Sequence, residues 1–167
     1  MSEQTMEYVI KQALTGSPQK NALELAAFLS TSGISQERAT TGYWEDKIYY
    51  VCNYNNQSVC YISINEHEDN SWYVTGDDSG SNWFENVRLS EPGIAWANID
   101  ICTDRSSCGA CGSPGKMSRK KIFGKEFDNV CPVTIKFTKP GMAEVECMKQ
   151  IFEVRKNYIL ETTKAKR

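Results

Sequence analysis

Histidine is almost missing from the chain: His67 is the only one in 167 residues. That scarcity excludes a metal enzyme built on imidazole ligands, and any Cys–His nucleophile pair would depend on one residue in the acidic turn Glu66-His67-Glu68-Asp69. No run approaches the roughly 20 apolar residues of a membrane helix. The stretch from Met1 to Ala13 carries Glu3, Glu7 and Lys11 where a secretory leader would be apolar, so a cytoplasmic protein without membrane contact is expected. The G-x4-G-K-S/T loop of nucleotide hydrolases does not occur, nor does the G-x-S-x-G elbow of serine hydrolases, and no internal repeat is visible.

Net charge is nearly absent as well, at −2, but the total averages unlike parts. Residues 1–64 hold four basic and six acidic side chains. Residues 65–104 hold Arg88 against nine acids, and residues 105–167 hold fourteen basic and six acidic side chains. Such asymmetry points either to an anionic partner for the basic part or to two parts of one fold that neutralise each other. With 40% hydrophobic and 24% charged residues, the composition is that of one globular domain spanning 1–167, large enough to fold without disulfides.

Secondary structure follows from spacing. Met6, Val9, Ile10, Ala13 and Leu14 share a helical face, and Gly16 stops that helix. Ser17-Pro18 then opens a second one through Ala22, Leu25, Ala26 and Leu29, closed by Gly33, which makes residues 1–33 a helical hairpin. Residues 43–138 are expected to form an antiparallel sheet of about four strands: 47–53, 58–64, 71–75 and 131–138. A helix over 91–101 and an irregular Cys/Gly-rich loop over 102–121 are inserted between the last two, while 83–88 fits either a short strand or a helix. A long amphipathic helix over 143–160 closes the chain. Helices and antiparallel strands that do not alternate as βαβ units define an α+β fold.

Seven cysteines cannot pair completely within one chain, and a reducing compartment favours metal ligation or burial over disulfides. Cys108 and Cys111 form a C-x2-C unit on a glycine turn, and with Cys102 and Cys131 they offer zinc the four thiolates of a tetrahedral structural site. Zinc would also give the long loop a shape. Cys52, Cys60 and Cys147 read as core residues.

Two further constellations are candidates for binding. Lys116, Arg119, Lys120, Lys121 and Lys125, interleaved with glycines, can attract a phosphate-bearing ligand or a nucleic acid. Eleven aromatics from Tyr43 to Trp96 give both faces of the expected sheet aromatic or apolar character. One face packs on the helices, which leaves the other for a small ligand or a protein partner, with Tyr50, Tyr61 and Trp72 as a cross-strand ladder.

Ile94-Ala95-Trp96-Ala97-Asn98, the cysteine cluster with Ser113-Pro114-Gly115-Lys116, Ile122 to Cys131, Glu146-Cys147-Met148-Lys149 and Glu153-Val154-Arg155-Lys156 together resemble a group of small uncharacterised proteins of clostridia and related anaerobes. Closely spaced cysteines before Pro-Gly-Lys in that group imply metal binding, although the gap from Cys102 to Cys108 is wider here. The resemblance implies no catalytic residues. At the level of fold alone, helices leading into an antiparallel sheet with a final packing helix are similar to small YdhG-like α+β domains. The expected function is therefore a non-enzymatic ligand- or protein-binding domain with a structural zinc. Nucleic-acid or phosphate binding through residues 116–125 is the alternative, and a thiol-dependent redox enzyme using Cys108 or Cys111 is a further one.

Overall fold

The computed structural model describes residues 4–76, 83–101, 117–131 and 135–167. Helix α1 (Met6–Ala13) opens at Thr5, whose hydroxyl accepts the Tyr8 amide at 3.3 Å, and buries Met6, Val9 and Ile10. Helix α2 (Gly16–Thr31) buries Ala22, Leu25, Ala26 and Leu29, the face its spacing anticipates. It starts slightly earlier than Ser17-Pro18 suggests, with Thr15 at its N-cap. Its end is a complete Schellman motif. Gly33 takes φ +74°, its amide donates to Ser30 O at 3.1 Å, and the Ile34 amide donates to Leu29 O at 2.9 Å.

That turn delivers the chain into β1 (Ser35–Arg38), a strand whose polar sequence hides it, and then into the hairpin β2 (Ile48–Tyr54) and β3 (Gln57–Ile64). Asn55 and Asn56 both have positive φ, the requirement of a two-residue type I′ turn, which asparagine meets at low cost. Strand β4 (Trp72–Gly76) pairs with β3. Helix α3 (Pro92–Asn98) leads directly into β5 (Ile99–Ile101), so the helix expected over 91–101 ends early and becomes a strand. A separate two-stranded hairpin, β6 (Ser118–Ile122) and β7 (Lys125–Val130), turns at Phe123-Gly124, both with positive φ. Strand β8 (Ile135–Thr138) and the long helix α4 (Met142–Ala165) complete the chain. Residues 83–86 form a single turn of 3-10 helix.

The main sheet is entirely antiparallel and has six strands in the order β1-β2-β3-β4-β8-β5, not about four. Strand β8 enters between β4 and β5. Gly76 on β4 faces Ile135 on β8 so closely that a Cβ there would lie 2.8 Å from the isoleucine Cγ1, which accounts for glycine at that position. Alternation assigns the two faces. Tyr50, Cys52, Cys60, Ile62, Ile64, Trp72, Val74, Ile135 and Phe137 share one core with α1, α2 and α4, whose last helix contributes Val145, Met148, Ile151, Phe152 and Ile159. The opposite face carries the register rows Tyr49, Ser63, Tyr73, Thr138 and Val51, Tyr61, Thr75, Lys136, Asp100.

The acidic middle and basic C-terminal part meet in this fold. Lys139 pairs with Glu68, and Lys136 stands opposite Asp100 in register. Within the basic part, Arg119 on β6 binds Glu126 at 2.6 Å and Asp128 at 3.5 Å on β7. No helix among the described residues is long and apolar enough to cross a membrane.

Candidate functional site

The face of the sheet turned away from the helices holds a file of stacked rings. Strand alternation puts Tyr49 and Tyr61 on this face, with centroids 5.8 Å apart and planes 18° apart. The segment between β1 and β2 folds back over them through the 3-10 turn Gly42–Trp44, so that Trp44 stacks on Tyr49 at 3.6 Å and 14°, and Tyr43 meets Trp44 edge-on at 4.7 Å. Tyr49 is thereby buried to 6% exposure, whereas Tyr43 remains 47% exposed.

A carboxylate locks this arrangement. Asn65 takes φ +54° just after β3, which breaks the strand's alternation and turns Glu66 back onto the outer face. The Glu66 side chain is only 4% exposed. One oxygen receives Lys47 Nζ at 3.1 Å, and the other receives the Ser63 hydroxyl at 3.1 Å and the Tyr73 hydroxyl. Three elements are therefore joined at one side chain: the 43–47 segment, β3 and β4.

The Lys47 ammonium also lies 3.4 Å from the Tyr43 ring centroid and 5.5 Å from that of Trp44. Desolvation favours its neutral form, but hydrogen bonding to Tyr43 and Glu66, together with the carboxylate's charge, outweighs that and holds the amine above its ordinary value. Further along the same face, Lys136 Nζ sits 4.2 Å over the Tyr73 ring, and exposed His67 stacks on that ring at 6.4 Å. Chemically, the arrangement offers flat apolar area beside a buried negative charge. Glu66 is already committed to three donors, which suits it to holding a shape or a cation more than to moving a proton.

The expected ladder of Tyr50, Tyr61 and Trp72 does not form. Tyr50 is opposite Ile62, Trp72 is opposite Ile64, and Tyr61 is opposite Val51, so Tyr50 and Trp72 belong to the helix-covered face and Tyr61 to the other. The outer file uses Tyr49 in place of Tyr50. Spacing missed this because the two-residue turn by itself sets Tyr50 against Tyr61, whereas a register shift between Cys52 and Asn53 moves the pairing by one residue and so puts the two tyrosines on opposite faces. Glu66, which reads as part of an exposed acidic turn, is the residue sequence reasoning overlooked. The available signal was Asn65, a residue type that tolerates positive φ. The Trp72 indole N–H is buried without a hydrogen-bond partner among the described residues.

The basic residues diverge because 118–122 is a strand and not a loop. Lys121 is exposed beside a shallow cleft of about 380 Å³ that Arg88, Glu85 and Phe123 also line. Lys125 lies 4.2 Å over the Trp96 ring, Lys120 is buried, and Lys116 lies outside the described residues. Of the proposed zinc ligands, Cys131 is buried at 4% exposure, while Cys102, Cys108 and Cys111 lie outside the described residues. Among the described residues no group of three or more His, Cys, Asp or Glu side chains is placed to hold a metal ion. Cys52 and Cys60 face each other across β2 and β3 with no exposure, and Cys147 is buried on α4. A groove of about 720 Å³ runs between α1, α2 and β1, lined by Met6, Leu23 and Ala27 among others.

Comparison with protein-family models, with curated proteins and with solved structures gives no match to this chain.

Proposed function

We propose that the protein is a binding module and that its ligand docks on the outer face of the sheet, around Tyr43, Trp44 and Tyr61, with Tyr49 buried beneath Trp44 as their support. One observation carries this reading: the stacked file Trp44, Tyr49, Tyr61, with Tyr43 edge-on at its end, stands beside the buried Glu66 on the face opposite the helical layer. Rigid aromatic rings provide large contact area with little side-chain entropy to lose, and a single buried polar group among them supplies orientation.

Chemical-shift mapping with a set of small organic fragments tests it. Perturbations are expected to concentrate at Trp44, Tyr61, Thr75 and Lys136, and to vanish in Tyr61→Ala. Perturbations confined to the β6–β7 hairpin or to the groove between α1 and α2 would overturn the reading. Phosphate or nucleic-acid binding through the hairpin has less support, since Arg119 is occupied by two acids and Lys125 by Trp96.

Structural zinc held by Cys102, Cys108, Cys111 and Cys131 belongs to the same proposal, on the strength of cysteine spacing alone. Protein purified without chelator is expected to carry about one zinc per chain, as structural sites of this type bind tightly. A content well below that in elemental analysis refutes the zinc site without touching the outer face.

A further inference from the structure

The cage formed by Tyr43, Trp44 and Glu66 already contains a cation, the ammonium of Lys47, and every component of an organic-cation receptor is present around it. The ring of Tyr43 lies 3.4 Å from the nitrogen, the ring of Trp44 lies 5.5 Å away, and the carboxylate of Glu66, 4% exposed, contacts it at 3.1 Å. Aromatic faces next to a desolvated carboxylate select positive charge, and they favour weakly hydrated ammonium groups, which lose less on leaving water. We propose that this cage is a binding site for an organic ammonium cation, with Lys47 as a resident guest that an incoming quaternary or methylated ammonium displaces. The inference rests on the outer face being the binding surface and specifies the charge of what binds there.

Displacement is physically accessible. Lys47 is anchored by a flexible four-carbon stem, its side chain is 24% exposed, and its ammonium is well solvated once it swings outward. Glu66 keeps the Ser63 and Tyr73 hydroxyls as donors throughout, so the carboxylate stays in position during the exchange. A guest without N–H donors forgoes the direct hydrogen bond to Glu66 but keeps the charge attraction and gains contact with both rings. Because Lys47 is tethered, its effective concentration in the cage is high, and it weakens the observed affinity for any outside guest.

The test uses choline as the probe, 3,3-dimethylbutan-1-ol as its uncharged isostere, and the full chain. Affinity is read by NMR titration of the Trp44 indole, and choline-dependent change in Tm gives a second readout. Choline is expected to bind Lys47→Ala at least about tenfold more tightly than the native protein, since the competing guest is gone. The isostere is expected to bind at least about tenfold more weakly than choline, because it lacks the charge that the rings and carboxylate attract. Adding Tyr43→Ala, a change at an exposed ring, is expected to abolish the gain. Lys47→Gln, which keeps most of the stem, repeats the experiment if Lys47→Ala unfolds.

Equal choline affinity in the native and Lys47 variants, or no binding to either variant, overturns the inference. Equal binding of choline and the isostere also overturns it, but leaves the outer face standing as a binding surface. The fragment mapping decides that broader reading separately.

Discussion

Replacing Glu66 with alanine is expected to lower the stability of the protein by about 2–4 kcal/mol, because it strands one cation and two hydroxyls at once. The Glu66 oxygens receive Lys47, Ser63 and Tyr73, and both the carboxylate and Ser63 are almost fully buried. A buried donor that loses its acceptor forfeits about 1–3 kcal/mol. Lys47 contributes less than a buried charge would, since its side chain is 24% exposed and can turn to water. Urea unfolding measures the effect, with the midpoint falling and the slope unchanged if the native state stays compact. Glu66→Gln keeps one acceptor oxygen at the same place and is expected to cost about half as much. A loss under about 0.5 kcal/mol for Glu66→Ala, the size of an ordinary surface change, would mean that the carboxylate does not join the 43–47 segment to the sheet.

Stability is also expected to fall above pH 9, by about 1.4 kcal/mol per pH unit for each thiol that remains protonated only in the folded state. Burial pushes the Cys60 thiol well above its ordinary value of 9.0, and its contact with Cys52 adds to the shift. Cys147 moves the same way, first through burial and then through the negative charges of Glu144 and Glu91. The sign follows from proton counts. Between the unfolded thiol's pKa and the higher folded one, the unfolded chain binds fewer protons, so raising the pH favours unfolding; below about pH 8 neither state has lost the proton and the contribution is absent. Lys47 and Lys149, whose amines are held above 10.5, keep their contribution until the pH passes that value, so they do not account for a loss that begins near pH 9. Unfolding free energy is expected to be lower at pH 10.5 than at pH 8 on account of Cys60, and Cys60→Ala should remove that part of the slope. An identical slope in the two proteins would show that Cys60 does not stay protonated in the fold. At neutral pH the same burial makes Cys60 an inert thiol.

These two expectations arise from residues whose environments were legible to different degrees. Cys60 reads as a core residue directly from its alternation with Ile62 and Ile64, but its position opposite Cys52 does not follow from the Asn55-Asn56 turn, which would set Cys52 against Val59; a register shift between Cys52 and Asn53 moves the pairing by one residue. Glu66 gives no such indication. Its burial depends on positive φ at Asn65, on Tyr73 arriving from β4, and on Lys47 arriving from a segment that folds back across the sheet. No local pattern brings those three together. The β6–β7 hairpin shows the converse problem, since a strongly basic run conceals the period-two burial of Lys120 and Ile122 that makes it a strand.

By itself the sequence determined the helical hairpin, the β2–β3 hairpin, the α+β class and the long closing helix. All of these are set by interactions within a few residues: apolar spacing, caps and turn-forming residues. Only the tertiary structure decided that β8 enters between β4 and β5, that the sheet has six strands, that Tyr49 and Tyr61 face outward while Tyr50 and Trp72 face the helices, and that Glu66 is buried among rings with a lysine in its grasp. Strand order and facing depend on pairing between distant segments, where a shift of one residue inverts every side chain, and local spacing is equally compatible with either outcome.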